Sequence, residues 1–357
     1  MKITTAKLKE VLSKVSTNLG NNKLIPITSM IGMKTVDGNL YIISTDMNNT
    51  VCGIIADVEG EINVTIEADK FIKLISKTNT SEVTINTDES SVIVKANGTH
   101  RLPIVTDENG TVEFPMFNSS KYDNSDEYEI KLSDILSIKN SNESALAKTL
   151  ENPELTGYYA GEKTVSSDSV VICFNDTDLG FNNPMLLSAK MVQLLSLNKY
   201  EIIKYKEHKG RLLFYTNELI IEGAILEGVE DFPIEPINAY LGEEFESNCK
   251  ISKSYLIEVL DRLSLFVEAY DKNGAFFTFK GSEILVHSKN GASVESVKYI
   301  ESNNHCDFEC FVDVPLLLEQ LKSNPEDTIK LWYGNENAVK ITNEKVTQII
   351  ALLEDVA

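Results

Sequence analysis

Two cysteines and a histidine form the group in this sequence that most resembles a metal site. Cys306 and Cys310 lie four residues apart, and His305 precedes the first of them. A structural zinc site needs four such ligands, and no second Cys/His pair in the sequence completes this one. Phe308 and Phe311 are typical of a strand that packs into a core. We therefore expect no metal and no other cofactor.

Side chains suited to acid–base or nucleophilic catalysis are present but are not arranged as a catalytic site. The sequence contains no P-loop, no GxGxxG after a strand, no HExxH and no GxSxG. Asp46 and Asp168 recur in Ser44-Thr45-Asp46 and Ser166-Ser167-Asp168. This pattern favours a strand-end turn in which Asp accepts hydrogen bonds from nearby N–H groups. We expect no catalytic residues and no enzymatic activity. The scattered histidines are His100, His208, His287 and His305.

Composition and charge exclude several classes of protein. The chain has 357 residues, 42% of them hydrophobic, which is enough for two or three domains. Its apolar runs are far shorter than the roughly 20 residues of a membrane span, and no signal peptide is evident. Five irregularly spaced cysteines do not indicate a disulfide framework. We expect a cytoplasmic protein, whose net charge of −21 argues against tight, conventional nucleic-acid binding.

The same order of elements occurs three times along the chain. Each repeat begins with an amphipathic helix, continues with strands, and then has a second helix followed by a pair of strands around a polar turn. The second helices centre on Phe71, Met191 and Leu316, so the offsets are 191 − 71 = 120 and 316 − 191 = 125 residues. The paired strands are predicted within 83–94, 202–215 and 329–341. The apolar positions of the first helices are Leu8, Leu12, Val15 and Leu19; Leu132, Ile135, Leu136 and Ile138; and Tyr255, Leu256, Val259, Leu260 and Leu263.

A period near 120 residues is a domain rather than a solenoid repeat. We predict three α+β domains, each with two helices packed on antiparallel sheet, over residues 1–120, 121–246 and 247–357. The predicted linkers are Asn118–Tyr128, which is rich in Ser, Asn and Asp, and Gly242–Asn248.

Short segments of this repeated chain resemble a known family, the β subunit of bacterial DNA polymerase III, which is the replicative sliding clamp. The resemblance extends over all three repeats, and it depends on the order and spacing of motifs that are each weak alone. The segments, in chain order, are Ile25–Ser29 with Asp37–Leu40 and Ser44–Asp46 (the family's LPIL…DGxLxLxxTD), Phe114-Pro115, Leu155-Thr156-Gly157 (its LTG), Phe232-Pro233, and Arg262–Leu265 with Asn273–Phe276 (its RVSLL…RGV).

The resemblance implies a processivity factor that performs no chemistry. Three clamp domains per chain and a head-to-tail homodimer give a six-domain ring around double-stranded DNA, with no sequence dependence. A polymerase and a clamp loader bind through short peptide motifs. The negative net charge of the chain is compatible with this role, because a sliding ring needs only a modest positive potential inside its hole and does not bind DNA tightly. One alternative is a phage, plasmid or repair paralogue that recruits proteins with altered peptide specificity. A second, an unrelated triplicated enzyme, has no candidate site.

Lysines on the predicted helices are candidates for the DNA-facing surface. Lys70, Lys73 and Lys77 share one helix face, and Lys7 and Lys14 are two turns apart. An isolated lysine of this kind is usually a solvated surface residue, but lysines on helices at equivalent repeat positions favour a hole-lining role. The pattern is weaker in repeats two and three, where Arg262 also belongs to it. The candidates are Lys7, Lys14, Lys23, Lys70, Lys73, Lys77, Lys139, Lys190, Lys199, Lys253 and Lys322.

The resemblance also implies an apolar pocket between domains two and three that takes a peptide from partner proteins. Where the family has Gly-His-Arg-Leu, this chain has Ser169–Ile172, and Ile349–Leu353 replaces a C-terminus with Met and Pro. We expect a pocket that stays apolar, loses its polar and basic rim, and binds a peptide different from the standard motif. The alternative is that these are core strand residues. The matching positions are Leu155, Ser167, Ser169, Val170, Val171, Ile172, Pro233, Ile237, Ile349, Ala351 and Leu353.

For the dimer interface, the resemblance implies a contact between the first and third domains of two subunits. His100 and Leu102 match family positions that meet Leu265 and Phe266 of the partner subunit. An apolar centre is expected of an obligate dimer interface.

Overall fold

A computed structural model describes residues 1–20, 22–108, 110–303 and 306–354; His305 lies outside the described residues. The chain forms two compact units, one from Met1–Leu132 with Lys190–Ile225 and the other from Ser133–Ala189 with Leu226–Ala357. Within the described ranges, no helix is long and apolar enough to cross a membrane. The domain limits at 120 and 246 remain predictions.

The described part of the chain contains seven α-helices, and six of them are the helices that the repeat predicts. The seventh, α5, follows Phe232-Pro233 and was not predicted. The helices are α1 (Thr5–Ser16), α2 (Ala68–Ser76), α3 (Leu132–Asn142), α4 (Ala189–Leu195), α5 (Ile234–Ala239), α6 (Lys253–Leu263) and α7 (Val314–Ser323).

The predicted apolar faces of the helices are largely confirmed. In α6, Leu256, Val259, Leu260 and Leu263 are all buried, and each such side chain contributes about 1.5–3 kcal/mol relative to exposure. The assignment of Leu19 to the first helix was wrong, because α1 ends at Ser16. The chain turns there because the buried Asn18 amide donates to the Asn49 carbonyl at 3.0 Å. Leu136 and Tyr255 lie on the predicted helices but are exposed.

All strand pairings within the sheets are antiparallel, which confirms the predicted α+β class. The strands are β1 (Lys2–Thr4), β2 (Met30–Val36), β3 (Asn39–Thr45), β4 (Asn49–Ile55), β5 (Asn63–Glu67), β6 (Glu82–Thr87), β7 (Ser91–Lys95), β8 (Thr99–Pro103), β9 (Thr106–Asp107), β10 (Gly110–Thr111), β11 (Glu127–Lys131), β12 (Gly157–Ala160), β13 (Thr164–Ser167), β14 (Val171–Asn175), β15 (Met185–Ser188), β16 (Ile202–His208), β17 (Arg211–Tyr215), β18 (Leu219–Ala224), β19 (Ser247–Ser252), β20 (Gly274–Lys280), β21 (Glu283–Ser288), β22 (Val294–Lys298), β23 (Glu301–Asn303), β24 (Phe308–Asp313), β25 (Thr328–Tyr333), β26 (Ala338–Thr342) and β27 (Val346–Ala351).

Each unit contains one large and one four-stranded sheet. In the first unit the strand orders are β11-β16-β17-β18-β4-β3-β2-β5 and β1-β6-β7-β8, with a small β10-β9 pair. In the second unit they are β15-β12-β13-β14-β27-β26-β25-β19-β23 and β22-β21-β20-β24. The turn between β2 and β3 has Asp37 at φ 49° and Gly38 at φ 75°. Two positive φ values define the tight hairpin turn that Asp-Gly favours.

The two large sheets join strands of different repeats in the same way. β18, the last strand of repeat two, pairs with β4 of repeat one, and Leu219 faces Gly53. β27, the last strand of repeat three, pairs with β14 of repeat two, and Val346 faces Asn175. The strand of repeat one that is equivalent to β18 and β27 is β8. The strand of repeat three that is equivalent to β4 and β14 is β22. Each of them lies at the edge of its four-stranded sheet.

Candidate functional site

A cavity of about 560 Å³ lies in the second unit, within the size range of ligand pockets. Its floor is apolar, since Leu155, Ile172 and Ile349 are buried side chains that pack in one cluster. They come from the short turn before β12, from β14 and from β27, so the β14–β27 junction forms the floor. The lining residues are Leu155, Ser167, Ser169, Val170, Ile172, Pro233, Pro236, Ile237, Tyr240, Glu243, Asn337, Ala338, Ile349 and Ala351.

Helix α5 forms one wall of the cavity. It starts directly after Phe232-Pro233, and the buried Phe232 ring stacks on Tyr159 with centroids 4.8 Å apart. The Ile237 N–H donates to the Pro233 carbonyl at 3.0 Å. Sequence reasoning missed this helix because it has six residues and contains Pro236, which conceals the helical pattern although Pro is tolerated in a first turn.

The turn between β13 and β14 forms the opposite rim. Asp168 Oδ1 accepts hydrogen bonds from the N–H groups of Val170 at 2.9 Å and Val171 at 2.7 Å. The turn after β3 has the same construction, with Asp46 Oδ1 accepting from Asn49 N–H at 2.6 Å. The interpretation of both aspartates as turn residues is therefore confirmed.

Ser169 holds a left-handed backbone conformation in that turn, with φ 79°. We expect Ser169→Gly to stabilise the protein by up to about 1 kcal/mol, since a side chain at this φ is strained and glycine is not. Thermal unfolding should show a Tm raised by about 2 °C. Ser169→Ala keeps the Cβ and is the matched control. A glycine variant no more stable than the alanine variant would contradict this account.

Nine of the eleven predicted pocket residues line the cavity. Val171 does not, because successive strand residues point to opposite faces and its side chain is buried in another core cluster. Leu353 does not line it either; its N–H donates to the Phe311 carbonyl at 2.8 Å. A peptide-binding role for the nine remains a prediction. The lining residues that sequence reasoning missed are Pro236, Tyr240, Glu243, Asn337 and Ala338.

A repeated motif, Phe-Pro followed seven residues later by Tyr, could have located Tyr240. It occurs as Phe114-Pro115…Tyr122 and as Phe232-Pro233…Tyr240. Tyr122 is buried beside the β4–β18 junction, and its hydroxyl donates to Glu222 Oε1 at 2.9 Å. Tyr240 is 42% exposed at the cavity. The tyrosine at the first junction is therefore buried, whereas the equivalent tyrosine at the second is exposed.

Three of the predicted DNA-facing lysines belong to an ion-pair network in the first unit. Lys7 Nζ lies 2.6 Å from Glu218, Lys14 Nζ lies 3.1 Å from Glu10, and Lys199 Nζ lies 2.6 Å from Glu218. Burial opposes ionisation of Glu10, but Lys14, Lys7 and Lys199 outweigh it and hold the pKa of Glu10 below its ordinary value. Lys199 and Lys7 likewise outweigh burial and lower the pKa of Glu218. Two carboxylates thus neutralise most of the charge of three lysines.

Of the other candidate lysines, Lys70, Lys73 and Lys322 lie on exposed helix faces, whereas Lys139, Lys190 and Lys253 are half-buried on theirs. Lys73 pairs with Asp69 at 2.8 Å on α2, and Lys253 donates to the Asn324 carbonyl at 2.7 Å. Lys23 lies in a loop rather than on a helix. Each of the six repeat helices carries at least one candidate, and the extra helix α5 carries none. The remaining partners are Glu67 for Lys70, Glu143 for Lys139, Asp261 for Lys322 and the Thr17 carbonyl for Lys190, while Lys77 is exposed.

The predicted interface residues lie beside the two free sheet edges. His100 is exposed on β8, and Leu102 lines a cavity of about 310 Å³ with Pro103, Ile104 and Val105. Leu265 is 79% exposed and Phe266 43% exposed, just after α6. Glu67, Lys70 and Thr106 also line this cavity. Large apolar side chains exposed to water next to a free strand are typical of an interaction surface.

The described residues contain no group of three side chains able to hold a metal ion. Cys310 is buried in β24, and burial raises the pKa of its thiol to about 12.

The chain as a whole is similar to solved structures of DNA polymerase sliding clamps. That from Bacillus subtilis matches with a TM-score of 0.85 and 15% identity over 99% of both chains. The β subunits of DNA polymerase from Streptococcus pyogenes and of DNA polymerase III from Thermotoga maritima match at TM-scores of 0.87 and 0.85, each with 17% identity over 99% of both chains. The fold is therefore that of a sliding clamp.

The first third of the chain also matches a family model. Residues 1–117 match the model of the family described as DNA polymerase III beta subunit, N-terminal domain. The predicted family resemblance is confirmed. Comparison with curated protein sequences gave no match.

Proposed function

We propose that this protein is a DNA sliding clamp, a processivity factor that encircles double-stranded DNA as a head-to-tail dimer and tethers a polymerase and other proteins. The observation that carries the proposal is the pair of free edges, β8 and β22. The strands equivalent to β8 are β18 and β27, and they pair with β4 and β14, which are the strands equivalent to β22. β8 of one subunit can therefore pair with β22 of another in the same way. Two such contacts close a ring.

The register of that pairing follows from the internal junctions. Leu219 faces Gly53 across the first junction. Ile220 faces Cys52 in the same junction. Counting from the β2–β3 and β20–β21 turns, Val294 is equivalent to Cys52. Lys95 pairs with Thr99 as Tyr215 pairs with Ile220, so Thr99 is equivalent to Ile220. Thr99 therefore lies opposite Val294 of the partner subunit. The Leu265 and Phe266 side chains supply the apolar contact to the cavity beside Leu102.

The helix lysines suit a ring that slides. Affinity for duplex DNA rises steeply with the number of phosphates that a protein neutralises. Lysines on six helices supply positive groups, and their partial pairing with carboxylates keeps the affinity for DNA low. The open cavity beside α5 is the site proposed to capture peptides of polymerase and clamp loader.

A loading experiment tests the proposed function. The protein is loaded on nicked circular DNA with a clamp loader, the DNA is then linearised, and retained protein is measured by gel filtration. A topological clamp stays on the circle and slides off the linear form. Protein that remains on linear DNA, or that fails to load with every bacterial loader tried while folded and dimeric, would count against a clamp. The latter result would favour the recruiting paralogue.

A further inference from the structure

We infer that the cavity beside α5 takes a peptide whose apolar core is flanked by basic residues. This inference rests on the proposed function, because it assumes that the cavity captures a linear peptide of a partner protein. The floor of Leu155, Ile172 and Ile349 is buried and apolar. Val170, 45% exposed, and Tyr240 extend the apolar surface to the mouth. These residues fix an apolar core for the ligand but leave its flanks to the rim.

The chain segments that line the cavity are acidic. Among the lining residues, Glu243 alone carries a formal charge. Its Oε2 accepts a hydrogen bond from Asn335 Nδ2 at 2.9 Å, which holds the carboxylate at the rim. Six further carboxylates lie within two residues of a lining position: Glu154, Asp168, Asp231, Glu235, Glu244 and Glu336.

One basic residue, Lys340, lies within the same distance along the chain. Its Nζ sits 4.4 Å from the centre of the Phe245 ring and 5.0 Å from that of Trp332. Burial lowers its pKa, and the charge of Lys330 lowers it further. The ammonium group is thus held over aromatic rings beside the cavity. Seven carboxylates against one lysine is a larger excess than the 54 against 33 of the whole chain.

Charge complementarity therefore selects cationic flanks. A lysine or arginine on either side of the apolar core finds carboxylates, whereas an acidic flank meets like charge. The pairs are exposed to solvent, so each contributes modestly and salt weakens it. The apolar core supplies most of the affinity, and the flanks decide between ligands.

Two matched peptides test the inference against the full-length protein by fluorescence anisotropy. Both carry the same Leu-Phe core, one flanked by lysines and the other by glutamates. We expect the lysine-flanked peptide to bind about tenfold more tightly at about 50 mM salt, and the ratio to shrink at about 0.5 M. Glu243→Gln with Glu235→Gln should reduce the ratio. Glu59→Gln with Glu61→Gln, at exposed sites in the other unit, makes the same charge change and should leave it unaltered.

The possible outcomes distinguish the preference for basic flanks from peptide binding itself. Equal affinities, or tighter binding of the acidic peptide, would overturn the charge preference and leave peptide capture standing. Failure of both peptides to bind would overturn both. Ala351→Arg, at a half-buried lining position, should abolish binding while the thermal melt is retained. Binding that survives this change would place the peptide elsewhere.

Discussion

Replacing Leu265 and Phe266 together by alanine should convert the proposed dimer into monomers. Both side chains are largely exposed after α6, at 79% and 43%. We propose that in the dimer they enter the cavity beside Leu102 on β8 of the partner subunit. Losing two large apolar side chains costs about 3 kcal/mol or more of association free energy, which raises the dimer Kd at least about a hundredfold.

Sedimentation or light scattering over a range of protein concentrations measures the effect. Leu150→Ala is the matched control, because Leu150 is 80% exposed and lies away from both free edges in the chain. It should leave the dimer intact. A double alanine variant that keeps the dimer mass across the same concentrations would refute this interface.

Replacing Glu10 and Glu218 by glutamine should raise the affinity for duplex DNA by roughly tenfold or more at about 0.1 M salt. The two carboxylates now pair with Lys7, Lys14 and Lys199. Glutamine keeps the shape and removes the charge, so the lysines are released for phosphates. Each phosphate neutralised adds about 0.9 to the salt slope of the binding constant.

Titrating a short linear duplex at several salt concentrations gives both the affinity and the slope. Glu82→Gln is the control, since Glu82 pairs with Lys2 at 2.7 Å on strand β6 rather than on a helix. It changes the charge in the same way per site and should have little effect. If the double variant binds DNA no better and with an unchanged slope, α1 does not face the DNA.

The periodic part of the fold could be predicted from the sequence. Apolar residues at helical spacing located α6 and α7, and the Asp-Gly turn located the β2–β3 hairpin. The repeat also gave the equivalence of Asp46 and Asp168, because a turn that depends on one Asp side chain leaves a local signature. These features depend on neighbours along the chain, so one sequence contains them.

The features that could not be predicted depend on residues far apart in sequence. Lysine spacing on α1 was correct, but nothing local indicated that Glu218, 211 positions from Lys7, would pair with it. The assignment of Val171 to the pocket failed on side-chain direction, which alternates along β14 and needs the register. Helix α5 was missed because it has too few residues to show a period.

The two internal junctions are held by main-chain hydrogen bonds between strands, β4 with β18 and β14 with β27. Main-chain pairing does not depend on which side chains the strands carry, provided that they suit a sheet. A chain only 15% identical to this one can therefore share its backbone fold, with a TM-score of 0.85. The side chains that line the cavity can likewise change, and with them the ligand preference, without altering the main-chain pairing of the strands.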